Sequence, residues 1–209
     1  MIMYRTQIYR RSVYGGLPKR FLDILVALAG LFISALPMAI CAAAIYIEDG
    51  GPVIFSQRRI GTDCRPFICY KFRTMSSDAP RECATAALKH PERYITRVGG
   101  FLRRTSLDEL PQLFNVLKGE MSLIGPRPVI AAESELICLR DMLGVYHIRP
   151  GITGLAQVRG RDNVSIRRKA AYDAQYVERM SLGYDVMLLL RTLINVVGCR
   201  GVREGDANE

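Results

Sequence analysis

Between Asp23 and Glu48 the chain carries no charged side chain for 24 residues, and near the middle of that run stands Pro37. A helix of about 20 residues reaches across the hydrocarbon core of a bilayer, so the run is long enough to enter one. A cleaved signal peptide has a shorter apolar region, about 7 to 15 residues, although Ala42, Ala43 and Ala44 offer small residues for cleavage. Bulky Ile40 argues against lipid attachment at Cys41. Two readings remain: a plain transmembrane helix, or a helix broken at Pro37 that leaves by the leaflet it entered. Proline removes a backbone donor and clashes with the preceding turn, which favours a break. Charge favours the same outcome. The first twenty residues carry Arg5, Arg10, Arg11, Lys19 and Arg20 and no acidic side chain, and Arg58, Arg59, Arg103 and Arg104 follow the run. Positive charge on both flanks suits a re-entrant hairpin with both ends on the cytoplasmic side.

The expected division is therefore a basic arm (1–20), a re-entrant membrane hairpin with Pro37 and nearby Ser34 at its kink (21–48), a cytoplasmic domain (49–200) and a disordered tail (201–209). An apolar fraction of 49% in 209 residues excludes a disordered protein. The net charge of +9 points to anionic partners: nucleic acid, an anionic bilayer or phosphorylated small molecules. Nucleic acid is set aside, because no aromatic-basic cluster is present and tryptophan is absent. Six scattered cysteines, Cys41, Cys64, Cys69, Cys83, Cys138 and Cys199, lack metal-binding spacing and read as free thiols in a reducing compartment.

After the apolar run, PVIFSQRRIG and RPFICYKFRTM flank a turn at residues 61–64 and predict a β-hairpin. Lys71 and Arg73, two apart, would share a strand face, as a solvated basic edge or as phosphate ligands. From Arg97 the apolar spacing becomes helical through Leu117. Within it, Ser106 to Glu109 fits a capping box, but Pro111 would then be the fifth helical residue, at a cost of about 3 kcal/mol. A cap contributes only about 0.5–2 kcal/mol. The helix is therefore expected to begin near Asp108 or later, with Pro111 in its first turn and both carboxylates free of capping. At the positive end of a helix Asp108 would stay ionised, as a nucleophile, and backbone N–H groups would receive phosphate. Repulsion between the adjacent carboxylates of Asp108 and Glu109 would be relieved by Mg²⁺, which takes one or two carboxylates plus substrate phosphates. In the GPRP loop, Pro126 and Pro128 stiffen the backbone around Arg127, a candidate phosphate clamp.

Residues 131–143 read as an amphipathic helix. RPGITG, with Arg149, Gly151 and Gly154, reads as a tight basic loop continued by Arg159 and Arg161. His147 reads as a surface histidine. The last helical stretches hold Tyr172, Asp173 and Tyr176, and then an apolar face of Val186, Leu189, Leu190, Leu193, Val196 and Val197, expected in an interfacial or core-packing helix. The fold class is α+β, mainly helical, with a short hairpin and interfacial amphipathic helices.

KRFLD at residues 19–23, TSLDELPQLFNVLKGEMSLIGPRP at 105–128, RPGITGLAQV at 149–158 and YDAQYVERMSLGYD at 172–185 together resemble the monotopic phosphoglycosyl transferases, in their minimal form. The resemblance implies a bacterial inner-membrane enzyme, on the cytoplasmic face, with a ping-pong reaction. Asp108 would attack the sugar-bearing phosphate of a UDP-sugar, release UMP and form a phosphosugar-aspartate. A polyprenyl phosphate such as undecaprenyl phosphate would then accept the phosphosugar, starting a glycan: O-antigen, capsule, exopolysaccharide or glycoprotein. Glu109, with Asp108, would hold Mg²⁺, and Lys71, Arg73, Arg127, Arg149 and Asp173 would serve the substrate phosphates. A homodimer and downstream membrane glycosyltransferases are further implied partners. Where family members often place serine before the kinking proline, this chain has Leu36. Two alternatives of other classes are a catalytically silent basic membrane scaffold and a phosphoanhydride hydrolase.

Overall fold

The computed structural model describes residues 14–80, 90–160 and 164–198. Most of the basic arm, the tail, Cys83, Cys199 and Arg161 lie outside the described residues.

Helix α1, Leu17–Asp49, is 33 residues long, with Pro18 in its first turn, where a missing N–H does no harm. It begins inside the segment expected as an arm, and Pro37 does not divide it into two elements. The carbonyl that Pro37 deprives of its helical donor is that of Ile33, four residues back. Ser34 does not answer that loss, because its hydroxyl donates to the carbonyl of Gly30 at 2.6 Å. Gly30 also lets α1 lie close against the domain: a Cβ there would stand 3.2 Å from Leu113 Cδ1.

The predicted hairpin is present. Strands β1, Ile54–Ile60, and β2, Pro66–Phe72, pair antiparallel with Phe55 opposite Lys71, Gln57 opposite Cys69 and Arg59 opposite Phe67. The helical pattern from Arg97 forms helix α2, Arg97–Thr105, and helix α3, Gln112–Lys118, which begins after Asp108 as expected. Ser106 turns left-handed at φ 58° to end α2, and a 3₁₀ turn, Leu107–Glu109, follows. Pro111 takes the N-cap of α3, just before its first turn.

Strand β3, Ser122–Ile124, leads to helix α4, Ser134–Met142, shorter than the expected 131–143. Strand β4, Gly151–Thr153, pairs parallel with β3, and helices α5, Leu155–Gly160, α6, Ile166–Arg179, and α7, Leu182–Val197, complete the chain. The architecture is thus mainly helical, with a hairpin and one short parallel pair. Residues on both halves of α1 enter the core: Ala27 packs with Leu113, Val116 and Met121, and Cys41 and Ile45 pack with Phe72 and Leu102. On α7, Leu188 and Asp185 face inward while Val186, Leu190, Leu193 and Ile194 are exposed. The apolar face read from the sequence is therefore largely turned outward. The four described cysteines, Cys41, Cys64, Cys69 and Cys138, are free thiols.

Candidate active site

The short turn between α2 and α3 puts Asp108 and Glu109 opposite the end of β2. Lys71 Nζ donates to Glu109 Oε1 at 2.8 Å, and Arg127 Nη1 reaches the same oxygen at 2.9 Å. Lys71 Nζ stands 4.0 Å from Asp108 Oδ2, outside hydrogen-bond range. The two carboxylates consequently differ. Burial alone would raise both. For Glu109, the charges and hydrogen bonds of Lys71 and Arg127 overcome it and hold the carboxyl at about 2. For Asp108, 9% exposed, burial prevails over Lys71, and the neighbouring Glu109 adds to it, so its pKa lies above the usual carboxylate range. The sequence expectation of a carboxylate eased by a helix terminus is thus modified: burial in the turn is the dominant influence on Asp108.

Asn115 fixes this turn against the hairpin. Fully buried, it accepts from the Tyr70 N–H at 3.0 Å and donates to the Ile68 carbonyl at 2.6 Å and Glu120 Oε2 at 2.7 Å. The two bonds to Tyr70 and Ile68 tie α3 to β2, and the third holds the Asn115 amide against Glu120, so Lys71 and the dyad keep their spacing. A polar residue amid Leu113, Phe114, Val116 and Leu117 was the sequence signal for it.

Arg127 is placed by two motifs pressed backbone to backbone. Gly125 N donates to Thr153 O at 2.9 Å and Gly151 N to Pro126 O at 2.9 Å. A Cβ on Gly125 would stand 2.5 Å from the Arg149 carbonyl oxygen, which explains glycine in both GPRP and RPGITG. Arg140, not singled out in the sequence, adds a second support: its Nη1 donates to the Arg127 carbonyl at 2.8 Å. Arg140 is itself held by Asp173 through bonds of 2.8 and 2.6 Å, with both side chains buried.

The structure thus brings Asp108, Glu109, Lys71 and Arg127 together. It places the other expected residues elsewhere. Arg73 bonds Asp49 and the Asp49 and Gly50 carbonyls at the end of α1. Strand β2 ends at Phe72, so sequence spacing alone did not keep Arg73 with Lys71. Arg149 Nε donates to the Gly119 carbonyl at 2.8 Å, and Asp173 faces Arg140.

For a divalent cation the protein offers the dyad: no cluster of three or more His, Cys, Asp or Glu occurs among the described residues. Both bonds to Glu109 fall on Oε1, and Asp108 accepts none among the described residues. The donor set therefore fits a cation completed by substrate phosphates and water, the habit of Mg²⁺.

Comparison with known proteins identifies the chain as a phosphoglycosyl transferase. A bacterial sugar transferase model matches residues 14–199, and the chain belongs to that family. It is 40% identical over 204 residues to the exopolysaccharide production protein ExoY of Rhizobium meliloti, covering 90% of this chain and 88% of that protein. It is 42% identical over 186 residues to a UDP-glucose:undecaprenyl-phosphate glucose-1-phosphate transferase of Caulobacter vibrioides, covering 85% of this chain and 68% of the relative. An undecaprenyl-phosphate galactose phosphotransferase of Salmonella typhimurium is 40% identical over 190 residues, covering 83% of this chain and 39% of that one.

Proposed function

We propose that the protein transfers a sugar-1-phosphate from a UDP-sugar to a polyprenyl phosphate, such as undecaprenyl phosphate, in two covalent steps on Asp108. The observation that carries this reading is the unequal dyad: Glu109 is clamped by two cations, while Asp108 accepts no hydrogen bond among the described residues. A poorly solvated, weakly neutralised carboxylate is a better nucleophile. Its oxygen attacks the sugar-bearing phosphorus, the P–O bond to the bridging oxygen breaks, and UMP leaves with the electron pair. The phosphosugar remains on Asp108 as an acyl phosphate. A phosphate oxygen of the polyprenyl phosphate then attacks the same phosphorus, and Asp108 departs as carboxylate. No external base is needed for either attack, and Lys71 and Arg127 stabilise the charge that develops on the phosphoryl oxygens. Asp108 and the Glu109 oxygen not bonded by Lys71 and Arg127 would hold Mg²⁺, which would supply positive charge to the phosphates. The undecaprenyl-phosphate acceptor in the relatives' names supports the lipid, and the likeness to ExoY supports exopolysaccharide as the glycan begun.

The same reading makes the protein monotopic on the cytoplasmic face of the bacterial inner membrane. Both ends of α1 are tied to one polar domain: Lys19 to Asp185 at 2.6 Å, and Glu48 to the Arg97 and Val98 N–H groups at 2.9 and 3.0 Å. Between them Phe32, Ile33, Leu36 and Ile40 around Pro37 are exposed, an apolar surface suited to lipid. A reagent confined to the cell exterior is expected to miss cysteines placed at both residue 5 and residue 205; labelling of one alone would mean a true span.

The enzymatic test uses purified protein with UDP-sugars and Mg²⁺. Wild type is expected to release UMP without lipid, up to one equivalent, and to gain a phosphosugar on the Asp108 peptide by mass spectrometry. Full UMP release by Asp108→Asn would sink the assignment.

A further inference from the structure

Beside the dyad lies a recess lined by Arg59, Cys69, Lys71, Gln112, Arg127 and Pro128. Arg59 and Gln112 have no part in the scheme above. Hairpin register puts Arg59 on the same face as Cys69 and Lys71, because Arg59 faces Phe67 two pairs along from Gln57 and Cys69. A guanidinium has five N–H donors. Arg59 makes one side-chain hydrogen bond among the described residues, a long 3.3 Å contact from Nη1 to the Pro128 carbonyl, and no carboxylate there stands within 4.0 Å. Gln112 is 2% exposed, and its side-chain amide keeps that small solvent contact at the recess instead of bonding another described residue. An amide that opens only onto a recess, beside an under-used arginine, is suited to a polar ligand. The setting is cationic as well. Burial, then the neighbouring Arg127, lowers the pKa of Arg59, with Glu133 and Glu109 offsetting only part. Glu133 is itself bonded to the Ile130 N–H at 3.0 Å.

We infer that Arg59 and Gln112 form the seat of a second phosphate beside the dyad, distinct from the Lys71 and Arg127 contacts that serve the reacting phosphorus. The seat takes a phosphate monoester or the equivalent group of a nucleoside diphosphate. This rests on the proposed transfer reaction, in which two phosphates of the donor lie side by side and the acceptor brings one of its own. An arginine fork donates two parallel N–H groups to such a group, and Gln112 adds a neutral donor.

The test uses full-length protein in nanodiscs carrying Asp108→Asn, so that binding is read without turnover and independently of the nucleophile assignment. UMP affinity is measured by calorimetry, with Arg59→Gln, Arg59→Lys and Gln112→Leu added singly. In the Asp108-intact protein the same variants are assayed for the KM of polyprenyl phosphate. If the seat holds the nucleotide phosphate, Arg59→Gln weakens UMP about tenfold or more, Arg59→Lys recovers part of the loss, and acceptor KM stays within about twofold. If it holds the acceptor phosphate, the same order appears in acceptor KM and UMP binding is unchanged. Thermal midpoints separate either result from misfolding, since a purely structural Arg59 would lower the midpoint and would not be rescued in phosphate affinity by lysine. Unchanged UMP affinity together with unchanged acceptor KM in Arg59→Gln overturns the inference, whatever Asp108 proves to do.

Discussion

Asp173→Asn offers the sharpest test of how the site is held. The Asp173 carboxylate accepts two bonds from Arg140, at 2.8 and 2.6 Å, and the two side chains are 1% and 3% exposed. Burial raises the Asp173 pKa, and Arg140 offsets only part of that rise, so the ion pair as a whole is expensive to bury. Removing one partner is worse, because a lone buried guanidinium remains; such losses run to about 3–5 kcal/mol. For a protein of this size, at about 2–4 °C per kcal/mol, the midpoint should fall by about 6–20 °C. The double variant Asp173→Leu/Arg140→Met leaves no unpaired charge and is expected to melt near wild type. It still lacks the Arg140 bond to the Arg127 carbonyl, so its activity should stay low although its fold is restored. Circular dichroism melts of protein in detergent, with UMP release measured in parallel, separate the two effects. If the single variant melts within about 2 °C of wild type, or if the double variant is no more stable than the single, the buried pair does not work as described.

Two other perturbations follow from the same contacts. Because burial raises the folded pKa of Asp108 above its ordinary 3.8, ionising it opposes folding: stability is fully present below the unfolded pKa and declines as pH rises through the folded one. Asp108→Asn should therefore melt above wild type at pH 7.5, with the gap closing toward pH values below about 4; a lower midpoint at pH 7.5 would contradict this. A Cβ at Gly125 meets the Arg149 carbonyl oxygen at 2.5 Å and Gly151 N at 2.9 Å, all of it backbone, so Gly125→Ala should shift Arg127 and depress turnover. Its stability loss should be about 1–3 kcal/mol. Gly183→Ala, with nothing within 4 Å, is the control and should raise the melting midpoint slightly.

What could be read from the sequence, and what could not, follows the range of each interaction. The hairpin was legible because alternation is local. The release of the dyad from capping was legible because Pro111 cannot sit in the fifth helical position. The left-handed Ser106 that ends α2 was not, because a serine in left-handed backbone carries no local signature comparable to glycine. Arg140 and Asp173 are 33 residues apart and meet only once α4 and α6 pack, so periodicity could not pair them. Gln112 looked like an ordinary residue of a helical stretch; only the packing of β2 and the GPRP loop beside it places its amide at the recess.

The positive charge shows the same division. A net charge of +9 reads as an appeal to anionic partners, yet several arginines answer needs inside the fold. Arg20 donates to the Val116 and Leu117 carbonyls and Arg149 to that of Gly119, all at the end of α3. Arg73 does the same at the end of α1, with Asp49 beside it. The last carbonyls of a helix lack internal donors and carry the negative end of its dipole, so cations there stabilise the fold without any ligand. Arg59, Lys71 and Arg127 instead converge on one recess beside two carboxylates. The dyad supplies at most two negative charges against these three, so the recess has positive charge to offer a phosphate, and net charge was a guide to function only after the helix ends had taken their share.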